Sequence, residues 1–83
     1  MKTKRTYYYK VFGGGVDCID RVIVDKKVTV VYWAYEKING KWVEERSEKY
    51  FERYDTFKEY KDSINAVYEY KRLTKQQLFT ELL

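Results

Sequence analysis

The stretch VTVVYWAYEKINGKWVEERSEKYF, residues 28–51, decides the fold. Val28 to Tyr35 is rich in β-branched and aromatic residues, Asn39-Gly40 interrupts, and Trp42 to Phe51 resumes an extended pattern. Asn-Gly tolerates positive φ at both positions and is the strongest short hairpin signal. With a two-residue turn there, Ile38 opposes Lys41, and the pairs Lys37/Trp42, Tyr35/Glu44, Trp33/Arg46 and Val31/Glu48 share one face. Val28, Val30, Tyr32 and Ala34 then point to a core, while Trp33, Tyr35 and Trp42 form an exposed face interleaved with Lys37, Glu44 and Arg46. A three-residue turn with Gly40 in a bulge would set Tyr35 opposite Val43 and reverse that assignment.

Towards the N-terminus, Cys18 to Val24 joins Val28 through the polar turn Asp25-Lys26-Lys27, which predicts a first hairpin. Tyr7 to Phe12 reads as an edge strand ended by Gly13-Gly14-Gly15. Towards the C-terminus the period changes from 2 to 3.6. Thr56-Phe57-Lys58-Glu59 matches a capping box, and Phe57, Tyr60, Ile64, Val67, Tyr68 and the stem of Lys71 form one stripe, predicting a helix over 56–73. Thr74-Lys75-Gln76-Gln77 is a second capping box with Leu73 and Leu78 as its hydrophobic staple, predicting a short helix over 74–83. The expected fold is α+β: a small antiparallel sheet of three to four strands in two hairpins (7–51), covered by a long C-terminal helix and a short terminal one. Residues 1–83 make one domain, with 1–6 as a basic arm.

With 83 residues, 17 Lys plus Arg, 13 Asp plus Glu and no His, the chain lacks the usual general base and the commonest transition-metal ligand. The lone Cys18 excludes a disulfide framework and a zinc cluster. Cys18 has no partner to lower its pKa and reads as a buried, inert thiol. Asp17 and Asp20 fall on opposite faces of a strand and read as solvated charges rather than metal ligands. Ser47 and Ser63 lack a base. The glycine run between Lys10 and Arg21 fits neither phosphate-loop spacing and reads as a connector. No catalytic residue, metal site or cofactor is expected.

The first ten residues lack the apolar stretch of about 7–15 residues that a secretory signal needs. Val28 to Tyr35 is far shorter than the roughly 20 residues that span a bilayer. A cytoplasmic chain without a membrane partner is expected, complete from Met1 onwards. Tyrosine and lysine are abundant and proline is absent, which fits an AT-rich coding sequence and, with the small size, a phage or mobile element.

Two Trp, ten Tyr and four Phe exceed what one small core encloses with every hydroxyl satisfied. Trp, Tyr and Arg dominate protein–protein hot spots, so Trp33, Tyr35, Trp42 and Arg46 are the candidate protein-binding residues. The expected function is non-enzymatic: occlusion of a host protein or nucleoprotein complex by an inhibitor of the anti-CRISPR or anti-defence kind, in the host cytoplasm if phage-encoded. The alternative is a small nucleic-acid-binding or transcription-regulating protein. Residues 1–10 carry four cations and 71–75 three, whereas 11–70 hold 10 basic and 12 acidic groups. Lys2, Lys4, Arg5, Lys71, Arg72 and Lys75 would meet phosphates, and Tyr7 would stack on bases. Leu78, Phe79, Leu82 and Leu83 are candidates for a homodimer contact.

Overall fold

The computed structural model describes residues 4–13, 15–45, 50–65 and 68–83. Two of the expected site residues, Lys2 and Arg46, lie outside them, as do Ser47, Glu48 and Val67.

Three long strands form the centre of one antiparallel sheet: β1 (Arg5–Gly13), β2 (Val16–Val24) and β3 (Val28–Ile38). Gly13 pairs with Val16, so β1 and β2 are the arms of a hairpin rather than strands joined by an open connector, and Gly13 and Gly15 take φ of 109° and 85° at its end. Val24 pairs with Val28 across Asp25–Lys27, the expected first hairpin. At Asn39-Gly40 both residues have positive φ (51° and 79°), and β3 returns as β4 (Lys41–Glu44). The pairs Ile38/Lys41, Lys37/Trp42 and Tyr35/Glu44 are those of the two-residue turn. Beyond Glu44 that register stops. Val31 pairs with Phe51, the first residue of β5 (Phe51–Tyr54), so β4 and β5 share one edge of β3.

The helical stripe is real but short. Helix α1 (Phe57–Asn65) uses Phe57, Tyr60 and Ile64 and begins at Thr56, whose hydroxyl accepts from the Glu59 amide at 3.3 Å. The chain then forms β6 (Glu69–Leu73), antiparallel to β1. This overturns the expected helix over 56–73 and the three- to four-stranded sheet: among the described residues there are six strands, ordered β4-β3-β2-β1-β6 with β5 beside β3, and two short helices. The physical reason lies in β1. Its outer edge carries backbone donors and acceptors that need partners, and Glu69–Leu73 supplies them while placing Tyr70 on Tyr9 (ring centroids 5.8 Å) and Arg72 over Tyr7. Strand β1 is therefore interior, not an edge strand, and Arg5 and Thr6 belong to it rather than to a free arm.

One face of the sheet packs on α1. Tyr9 and Val11 of β1, Cys18 and Val22 of β2, Val28 and Val30 of β3, and Tyr60 and Ile64 of α1 form the core, with Tyr7, Tyr32, Tyr54 and Phe57 around it. The other face buries Ile19 and Val31 and carries Tyr8, Lys10, Arg21 and Tyr35. Helix α2 (Lys75–Leu82) reaches this second face: Glu81 pairs with Lys10 at 2.7 Å. Leu82 and Leu83 border the hairpin at Lys37 and Trp42. Its capping box is complete, since the Gln77 amide donates to Thr74 Oγ1 (3.2 Å) and the Thr74 amide to Gln77 Oε1 (2.9 Å). Thr74→Ala is expected to cost about 1 kcal/mol, read as a fall in Tm of about 5 °C; an unchanged Tm would show that α2 contributes nothing to global stability. Among the described residues no helix is long and apolar enough to cross a membrane.

Candidate functional site

Strand β3 is regular at both ends and broken in the middle. Ile19 pairs with Tyr35 and Arg21 with Val31, so Asp20 alone stands opposite Tyr32, Trp33 and Ala34. The excess is taken up at Trp33, whose φ is 56°. A bulky side chain in this region is a genuine outlier, costing about 1–3 kcal/mol. The backbone on either side of it is tied to the neighbouring chain: the Tyr32 amide donates to the Tyr50 carbonyl (2.8 Å), and the Glu45 amide to the Ala34 carbonyl (2.9 Å). The Trp33 amide donates to a side chain of the neighbouring strand rather than to its backbone, reaching Asp20 Oδ1 at 3.0 Å.

Among the described residues Asp20 is the one buried charged side chain, 2% exposed, and Tyr60, fully buried on α1, donates its hydroxyl to Asp20 Oδ2 at 3.1 Å. The Cys18 thiol approaches Oδ1 at 3.9 Å. Asp20 is thus not a solvated charge, as its sequence context suggests, but a tie between three elements. Asp17, on the opposite face, is 4.0 Å from the Lys37 ammonium. Burial raises the Asp20 carboxyl to about 6, against the lowering effect of the hydrogen bonds from Trp33, Tyr60 and Cys18. Burial, and then the Asp20 charge, push the Cys18 thiol up to about 12 and raise Tyr60 as well. Cys18 is buried, as expected, and protonated at neutral pH.

What this arrangement presents is an indole. Trp33 is 44% exposed and lies against Tyr50, ring centroids 5.8 Å apart and planes at 67°. With Tyr32 and Tyr68 the two rings line an open depression of about 470 Å³. Tyr32 is fixed from beneath by hydrogen bonds of its hydroxyl to Tyr54 and to Glu52. Trp33 also borders a second hollow with Val16, Cys18 and Glu36.

The expected protein-binding set is divided by the bulge. Tyr35 and Trp42 lie together on the face of α2, where Tyr35 neighbours Tyr8 (6.4 Å) and Trp42 carries the Lys37 ammonium 5.4 Å from its ring centroid. Trp33 turns towards Tyr32, Tyr50 and Tyr68 instead. Of the expected nucleic-acid residues, Tyr7 and Arg72 meet, with the guanidinium 4.4 Å from the ring centroid. Arg5 shares their face by strand alternation, Lys4 precedes β1, Lys71 pairs with Lys10 on the opposite face, and Lys75 opens α2. Among the C-terminal candidates Phe79 and Leu83 are exposed, while Leu78 and Leu82 are half-buried.

The sequence reading missed Asp20, Tyr60 and Tyr50. A signal for Asp20 was present: Val16, Cys18, Asp20, Val22 and Val24 share one parity, and a lone carboxylate in a core-facing row demands a buried donor. Comparison with protein-family models, with curated proteins and with solved structures yields no match.

Proposed function

We propose that this chain is a small non-enzymatic binding protein that occludes a surface of another protein through Trp33 and the tyrosines around it. The observation that carries the reading is the positive φ of Trp33, held by a buried carboxylate. Glycine would take that conformation without cost, and a neutral polar group would avoid the burial penalty raised by Asp20. Both departures serve to place a half-exposed indole beside Tyr50. Backbone strain of this kind concentrates at functional positions, and Trp and Tyr are among the residues enriched in interface hot spots. Composition supports the choice of partner: a small, basic, tyrosine-rich and proline-free chain fits a phage or mobile element. The target in this reading is a host protein or nucleoprotein complex, and the activity an anti-defence inhibition of the anti-CRISPR type, exerted in the cytoplasm.

Trp33→Gly and Trp33→Ala test it. Both lack the ring, so they differ only in the fit of the residue to φ near 56°; the Gly variant is expected to be the more stable by about 1 kcal/mol. Affinity capture from nuclease-treated bacterial lysate should recover a stoichiometric protein with the parent and with Trp42→Ala, and lose it with both Trp33 variants. Recovery of the same partner by Trp33→Gly would refute the reading.

A further inference from the structure

A second concavity lies between α1 and the β1–β6 pair, separate from the Trp33 depression. It encloses about 470 Å³, within the range of small-ligand sites, and its walls are Tyr7, Phe57, Tyr70, Lys58, Lys61 and Arg72. Two of its cations lie on aromatic rings: the Arg72 guanidinium is 4.4 Å from the Tyr7 centroid, and the Lys61 ammonium is 5.0 Å from that of Phe57. Tyr7 meets Phe57 edge-on at 5.7 Å, so the ring beneath Arg72 is itself held. The single carboxylate of the lining, Asp62, is engaged by Lys58 at 3.1 Å in an exposed pair, an arrangement that a phosphate displaces at little cost. Arg5 pairs with Val24 at the rim and extends the positive charge along β1.

We infer that this groove binds single-stranded nucleic acid, with one base stacked on the outer plane of the Arg72 guanidinium and neighbouring phosphates on Lys58, Lys61 and Arg5. Three features select this occupant. The groove is positive, which calls for an anion. The Arg72 guanidinium sits over the Tyr7 ring, 4.4 Å from its centroid, and is exposed on its other side; a guanidinium so held offers a plane to a base as well as charge to a phosphate. An acidic peptide would use the charge and leave the plane idle, and a duplex has its base faces already stacked. The groove is open at the surface, so a strand can pass through it. This site is independent of the Trp33 surface and of the protein partner proposed there.

The test is fluorescence anisotropy with a labelled eight-residue oligothymidylate in 50 mM salt, against a twelve-base-pair duplex and polyglutamate. The oligothymidylate is expected to bind more tightly than either comparison ligand. Arg72→Ala should weaken it about tenfold and Arg72→Lys, which keeps charge but not the plane, about threefold. Lys75→Ala, outside the groove, and Trp33→Gly should each leave it within about twofold. Equal weakening by Arg72→Ala and Lys75→Ala would reduce the effect to diffuse charge and overturn the inference. Polyglutamate binding as tightly as the oligonucleotide, or no binding of the oligonucleotide, would overturn it as well.

Discussion

Near pH 5 the Asp20→Ala protein is expected to be less stable than the parent by about 3 kcal/mol, the sum of a buried amide and a buried hydroxyl left without an acceptor. The amide is that of Trp33 and the hydroxyl that of Tyr60, bound to the two oxygens of one carboxyl group. A domain of this size has only several kcal/mol in hand, so the substitution takes most of it. Tyr60→Phe removes one of the two bonds and fills the same space; it should cost about 1–2 kcal/mol. Asp20→Asn retains an acceptor for the Trp33 amide and should fold. Urea titrations of the three variants separate the cases. If Asp20→Ala loses no more than Tyr60→Phe, the bond to Trp33 contributes nothing and the backbone at that residue is held by something else.

The second large effect is one of pH, and its sign is unusual for a carboxylate. Asp20 ionises at about 6 in the folded chain, against 3.8 for an exposed aspartate. The folded state therefore binds the proton more tightly than the unfolded one, and this group's stabilisation is complete below about pH 4 and is lost as pH rises through 6. Two units correspond to about 3 kcal/mol. Most paired carboxylates act the other way, so the quantity to measure is the difference in unfolding free energy between the parent and Asp20→Asn from pH 4 to pH 8. The parent should lose stability relative to the Asn variant across that window and remain parallel to it above pH 7. A flat difference would mean that Asp20 is solvated enough to ionise normally. Protonation leaves Oδ1 free to accept from Trp33, so the exposed indole is expected to keep its place at both ends of the range.

The parts of this architecture that can be read in the chain are those whose causes are local. Asn39-Gly40, Asp25–Lys27 and the Thr74 capping box each settle their own geometry within a few residues, and all three are found as expected. Strand β6 was misread because Tyr68 and Lys71 continue the spacing of Tyr60 and Ile64, while the alternation of Tyr70 and Arg72 against Lys71 and Leu73 is equally present. What decides between them is the unpaired edge of β1, distant in sequence. Trp33 is the sharper case. Its neighbours are β-branched and aromatic, and nothing among them announces a bulge; the carboxyl that turns its amide inward comes from β2 and the hydroxyl that fixes that carboxyl comes from α1. The candidate surface was therefore legible as a surplus of aromatic rings and not as a place.

The pairing of β1 with β6 also sets a schedule. Tyr8 is joined to Leu73 and Tyr9 to Arg72, partners separated by more than sixty positions, which at a synthesis rate of roughly 5–20 residues per second emerge about 3–12 s apart. For that interval the strand bearing Tyr7, Tyr8 and Tyr9 has one neighbour and one open flank. Open flanks of this length recruit strands from other chains. A nascent population of this protein is thus most vulnerable to self-association before Glu69–Leu73 has left the ribosome, and slowing translation just ahead of Glu69 should lengthen that exposure without altering the finished molecule.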